Sequence, residues 1–127
     1  MARRRIIVPS EIPGGLDAVP CEHFGQCAVF TIVTLEDNTI SSVEAIDNVQ
    51  AGCRNCFNTI SFLREKGMSD LLVRKIGIFP LRILDSIGIP IHYIGREGTV
   101  GAAVRSFLQG QLKDFDINDT CSGECEH

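Results

Sequence analysis

Basic residues are scarce in this sequence: 12 lysines and arginines stand against 16 aspartates and glutamates, for a formal charge of −4 and a pI near 5.3. Neutralising nucleic-acid phosphates needs a basic face, so the totals argue against a nucleic-acid binder. The only basic run, Arg3 to Arg5, leads into three apolar residues, Ile6–Val8, before Pro9. That is too short for the apolar core of a secretory signal, and no other segment is long enough to span a membrane. P-loop, GxSxG and HExxH motifs are all missing. The carboxylates are scattered, with no pair set for acid–base work, so nothing nominates a catalytic centre and a non-enzyme is expected. There is no internal repeat and no low-complexity tract. Tryptophan is absent too, yet 44% apolar and 22% charged residues describe a folded soluble protein rather than a disordered or fibrous one. Its 127 residues suffice for one domain with a real core and are too few for two of ordinary size.

Cysteine, by contrast, occurs six times. With no export signal in view the expected compartment is the cytoplasm, where thiols stay reduced and three disulfides are a poor explanation for six cysteines. Metal binding is a better one.

Hydrophobic periodicity orders the chain. Ile6–Val8 reads as a short buried strand ended by Pro9, and residues 10–20, with Pro13, Gly14, Gly15 and Pro20, read as a loop. Ala28–Leu35 and Ile40–Ile46 alternate around Glu36–Asn38, as in a hairpin. Residues 48–56 are a second loop. From Phe57, the positions Ile60, Leu63 and Met68 follow a helical spacing toward Gly67 as the terminating residue. Leu71–Val73 is a strand, Pro80 opens a helix striped by Leu81, Leu84 and Ile87 and closed by Gly88, Ile89–Ile94 is the last strand, and Gly98–Leu112 is a third helix. A hairpin followed by strand–helix alternation predicts an α/β fold with a mixed five-stranded sheet and three helices. Binding loops in such sheets sit at strand ends. The loops after the first strand and before the first helix, with the turn at 74–79, are therefore expected to converge on one edge.

The sharpest local motif is Cys53-x-x-Cys56, in AGCRNC at a helix start. Two sulfurs at this spacing can grip one metal, and the positive end of the helix with Arg54 favours thiolates there. A redox dithiol and plain buried cysteines are the competing readings. Cys21 and Cys27 bracket His23 as C-x-H-x3-C, soft and borderline donors together; a loop histidine is otherwise a structural hydrogen-bonder. Cys121 and Cys125 form a third pair near the terminal His127. They lie in an acidic stretch without apolar period, expected to be a mobile tail (116–127) behind a single domain (1–115). It would act either as a lid over metal bound elsewhere or as a scavenger of stray ions. Six sulfurs exceed the four of tetrahedral zinc and fit no common zinc finger, so a cluster or two ions suits the count better. His92, in the alternating strand IPIHYI, reads as a half-buried sheet residue.

The order of motifs resembles the dinitrogenase iron–molybdenum cofactor-binding family, which includes NifX- and NafY-like carriers and the molybdenum–copper orange protein. The resemblance runs from about Ile6 to Phe115. It rests on IIVPS, on EHFG (Glu22–Gly25) before an apolar strand, on VEAIDN, on the turn IGIFP, and on GIPIHYIGREGTVGAAVRSFLQGQL (Gly88–Leu112). It implies a ribonuclease H-like α/β fold without nuclease activity. The implied role is carrying a metal–sulfur cluster (iron–sulfur, molybdenum–sulfur or mixed) or its precursor between donor and acceptor proteins in cofactor assembly. His23 falls in the EHFG segment, and Cys53 in the loop before the first helix, where relatives are often glycine-rich or cysteine-bearing. The chain departs from the family at Arg74-Lys75, where many relatives carry glycines, and at Phe79. Arg74 and Lys75 are candidates to offset the charge of an anionic cluster, although surface cations usually do nothing of the kind. The CRNC loop and cysteine tail exceed the family pattern, so the cargo need not be the iron–molybdenum cofactor itself. A thiol–disulfide oxidoreductase using Cys53 and Cys56, and a protein–protein adaptor with incidental cysteines, are the alternatives.

Overall fold

The computed structural model describes residues 3–24, 27–48 and 56–112, with the backbone alone for 56–58. In chain order the elements are β1 (Arg3–Ser10), β2 (Val29–Glu36), β3 (Thr39–Asp47), α1 (Cys56–Glu65), β4 (Asp70–Val73), α2 (Ile78–Ser86), β5 (Ile91–Tyr93) and α3 (Val100–Leu108). The strands form one sheet in the order β3-β2-β1-β4-β5. β2 is antiparallel to β1 and β3, and β4 is parallel to β1 and β5. This is the expected mixed sheet with three helices, in a strand order compatible with a ribonuclease H-like layout. Among the described residues, no helix is long and apolar enough to cross a membrane.

Alternation along β1 builds two cores. Ile7 enters one with Phe30, Ile32, Leu71, Val73 and Ile91, covered by Ile60 and Leu63 of α1 and Leu84 of α2. Ile6 and Val8 enter the other with Val33, Leu35 and Leu72, against Val100, Ala103 and Val104 of α3. Successive strand residues face opposite ways, so a central strand covered on both sides must be apolar without a break. Ile6, Ile7 and Val8 are indeed fully buried, each worth about 1.5–3 kcal/mol over an exposed position.

Several boundaries differ from the sequence pattern, for identifiable reasons. Pro9 does not end β1: it pairs with Phe30, while its carbonyl oxygen turns away from β2 to accept the Cys21 N–H at 2.8 Å. Its ring nitrogen faces that same side, beyond the point where the β1–β4 register stops at Ile7 and Leu71, so no ladder bond is lost. The hairpin is tighter than expected. Glu36 pairs with Thr39, and Asp37 and Asn38 adopt φ of 55° and 67°, a two-residue turn whose twist matches antiparallel strands. α2 starts at Ile78, before Pro80, because first-turn N–H groups have no helical partner and a proline there removes none. α3 starts at Val100 because Thr99 caps it, accepting the Ala102 N–H at 3.1 Å.

The parallel strands β1, β4 and β5 end on one edge of the sheet. On the opposite edge, Asp70 opens β4 at 2% exposure. It accepts from Ser69 Oγ at 2.9 Å and lies 3.1 Å from His92 Nε2, with Arg4 Nε at 3.7 Å. Arg4 and His92 both pack on the Phe107 ring. Burial alone would raise the Asp70 carboxyl, but hydrogen bonds from His92 and Ser69 and the charge of Arg4 outweigh it and hold the group below the usual carboxylate range. A depressed carboxylate contributes stability above its unfolded pKa, and that contribution is lost as pH falls through the folded value. Asp70→Asn is therefore expected to cost about 1–2 kcal/mol at pH 7. In urea titrations the gap to the wild type should close below about pH 4; a gap independent of pH would contradict this account.

Candidate thiol site

The site grows from the end of β1. Residues 11–20 first fold over the head of α3, where Val100 and Gly101 donate their N–H groups to the carbonyls of Ala18 (2.9 Å) and Leu16 (2.8 Å). The chain then returns to the sheet, with Pro20 bridged to Ser10 and Cys21 bonded to Pro9. It crosses to the end of β4, where His23 bridges Lys75 in parallel and Phe24 N–H donates to the Lys75 carbonyl at 3.0 Å. Phe24 is buried and packs on Phe30 with ring centroids 6.1 Å apart. Before β2, Cys27 is clamped by Asn48, whose Nδ2 donates to the Cys27 carbonyl at 3.0 Å and reaches its sulfur at 3.6 Å. The segment is thus tied to β1, β4 and the end of β3 in turn.

This brings Cys21 and Cys27 together. Both are free thiols, Cys21 partly exposed and Cys27 buried, and both belong to the core layer under α1 and α2. Cys21 Sγ lies 3.6 Å from the His23 carbonyl oxygen. The two thiols are neighbours, and their titrations split. The Cys27 thiol lowers Cys21 to about 7, opposed by burial and Glu11 and assisted by backbone groups of His23 and Glu22. Cys27 is pushed up by Cys21 and by burial. Cys21 is therefore the more readily ionised of the two, and Cys27 the one that keeps its proton.

Of the other expected residues, His23 stands on the same segment between the two cysteines, half-buried. Lys75 lies beside it, and its Nζ is 3.2 Å from Glu22 Oε1. Arg74 turns elsewhere, donating to the Glu97 carbonyl at 2.7 Å in the connection that leads to α3. Cys56 is the first residue of α1. The far end of α1 lies at the opposite edge, where Arg5 donates to the Lys66 carbonyl at 2.7 Å, so α1 begins on the thiol edge and on the same layer as Cys21 and Cys27. Cys53, Arg54, Cys121 and Cys125 lie outside the described residues. Among the described residues, no three histidine, cysteine or carboxylate side chains form a metal-holding group.

Reading the sequence missed Asn48 and the role of Thr99. Asn48 closes VEAIDN and clamps Cys27; Thr99 belongs to EGTV and caps α3. The signal for Asn48 was a polar residue ending an alternating strand, and that says only that the strand stops.

Because the Cys27 S–H lowers Cys21, Cys27→Ala should return Cys21 toward its ordinary range. At pH 7 the rate at which iodoacetamide alkylates Cys21 is expected to fall about tenfold or more. Peptide-resolved mass spectrometry reads it directly, and an unchanged rate would sink this division between the two thiols.

Three comparisons bear on this arrangement. The family model for the dinitrogenase iron–molybdenum cofactor matches residues 4–110. An uncharacterised protein of Methanocaldococcus jannaschii is 27% identical over 96 residues, 74% of this chain and 80% of that protein. Among solved structures, the apo orange protein of Desulfovibrio gigas superposes with a TM-score of 0.77 at 30% identity, over 88% of this chain and 92% of that one. The fold alone is shared with a candidate NifB protein from Thermotoga, at a TM-score of 0.77 and 23% identity, over 94% and 99% of the two chains. With a match that runs from the second residue of β1 to beyond the end of α3, the chain belongs to the dinitrogenase iron–molybdenum cofactor family.

Proposed function

We propose that the chain is a carrier that holds an iron–sulfur, molybdenum–sulfur or mixed cluster, or a precursor of one, through cysteine thiolates at the edge where its parallel strands end, and passes it on during cofactor assembly. The observation that carries this reading is the neighbouring pair of free cysteines, Cys21 and Cys27, at that edge, in a member of this family. Thiolate is the form that ligates metal, and Cys21 is available as thiolate near neutral pH. Cys27 holds the proton and steadies that anion.

Two sulfurs do not complete the coordination of a cluster. In this reading Cys53 and Cys56 supply the second pair, from the start of α1 on the same layer. His23 is a further donor, and Cys121 and Cys125 come from the C-terminal stretch. A thiolate-bound cluster is anionic, and the edge suits an anion. α2 begins there at Gly77 with no side-chain cap, leaving the positive end of the helix open. Lys75 stands beside His23, its Nζ 3.2 Å from Glu22 Oε1, and Arg54 precedes Cys56 by two positions. Arg74, held by the Glu97 carbonyl, positions the connection into α3. In this reading the chain's own residues bind and orient the cargo. A cytoplasmic setting would keep the thiols reduced.

The test is anaerobic reconstitution of the full chain with ferrous iron and sulfide, and separately with tetrathiomolybdate, followed by metal and acid-labile sulfide analysis. Wild type is expected to take up close to one cluster per chain with visible absorption, and Cys21→Ser and Cys53→Ser each to lose most of it. Uptake below about one tenth of an equivalent, or uptake that neither substitution changes, would overturn the proposal.

A further inference from the structure

We propose that Cys21 and Cys27 close into a disulfide when the protein meets a hydroperoxide, and that this bond withdraws the exposed sulfur from the cluster site. Only the second half rests on the carrier reading above.

The geometry points there in three ways. The two residues meet at the end of β1: Cys21 bonds to Pro9 and follows Pro20, which bridges Ser10, while Cys27 stands two positions before Val29, which pairs with the same Ser10, and both pack in one core layer. Their exposures differ: Cys21 is partly exposed while Cys27 is 1% exposed, so an oxidant reaches one sulfur and the other waits behind it, as in sensors with a resolving cysteine. Their backbones are anchored separately, Cys21 to Pro9 of β1 and Cys27 to Asn48 beyond β3. The pair is thus held in register across the intervening residues. Neither CxxC nor the C-terminal cysteines are needed.

The chemistry balances with a hydroperoxide as oxidant. The Cys21 sulfur attacks the terminal peroxide oxygen; an S–O bond forms, the O–O bond breaks, and the departing oxygen takes up the Cys21 proton as alcohol or, from hydrogen peroxide, as water. Cys27 then attacks the Cys21 sulfenic acid. The S–S bond forms, the S–O bond breaks, and the hydroxide leaves as water with the Cys27 proton. Two thiols are oxidised and one peroxide is reduced. For the carrier this has two consequences: the accessible sulfur cannot bind metal while the bond stands, and it is kept from irreversible over-oxidation.

The experiment treats the full metal-free chain with about one equivalent of hydrogen peroxide, caps remaining thiols with maleimide and cleaves after glutamate. Cleavage at Glu22 separates the two cysteines into Ile12–Glu22 and His23–Glu36. Those two peptides are expected as a disulfide-linked pair that dithiothreitol releases, and Cys27→Ala is expected to leave Cys21 as sulfenic acid, trapped with dimedone, that a second equivalent of peroxide carries on to sulfinic acid. Cys21 linked to another cysteine, over-oxidised in the wild type, or still open to maleimide would overturn the disulfide. Reconstituting the oxidised protein with iron and sulfide tests the consequence: uptake should fall several-fold and return after reduction, and undiminished uptake would overturn it. If the reduced protein takes up nothing, the carrier reading fails, and the peptide map still decides the disulfide.

Discussion

The site depends on how β1 ends. Its buried run Ile6–Val8 fixes the middle of the sheet by facing two cores at once, and that leaves no freedom in where Pro9 and Ser10 emerge. Pro9 directs its carbonyl away from β2, and the N–H of Cys21 takes it. From that bond follow the crossing to Lys75, the burial of Phe24 and the meeting of Cys21 with Cys27. A backbone hydrogen bond of this kind is worth only about 1 kcal/mol net, but leaving a buried carbonyl unmade costs more, so the loop has little choice of path.

The two edges of the sheet divide the work. Opposite the thiols, Asp70 gathers Ser69, His92 and Arg4 against Phe107, a buried charge made tolerable by complete hydrogen bonding. That cluster joins β4, β5, β1 and the last turns of α3 without approaching the cysteines. At the thiol edge the polar groups are instead split between a thiol that keeps its proton and one that gives it up more readily, and Cys21 is partly exposed. Rigid support on one side and a partly exposed thiol on the other is the arrangement on which the proposed carrier role rests.

Most of the fold was legible in the sequence because two-sided burial and helical stripes leave strong periodic marks: the eight elements occur in the order the pattern predicts. Boundaries were less so. Nothing local tells that the nitrogen of Pro9 faces an empty ladder position, or that Pro80 lies inside a first turn; both depend on where β4 and Gly77 fall. The pairing of Cys21 with Cys27 was readable as spacing, whereas the division of roles between them comes from burial, a tertiary property. Asn48 was missed for the same reason. The motifs that carry the family resemblance turn out to be largely architectural, with Phe24 of EHFG in the core and Thr99 of EGTV capping α3.

The central claim is one of place: the cargo binds where β1, β4 and β5 end. Amide NMR spectra of the metal-free chain and of the same chain reconstituted with iron and sulfide test it most directly. The account predicts shifted or broadened signals for Cys21 to Phe24, Cys27, Asn48 and Lys75 to Ile78, with Arg4, Lys66 and Asp70 unmoved. Changes confined to the Asp70 edge, or a loaded protein whose Cys21 segment is unperturbed, would contradict it.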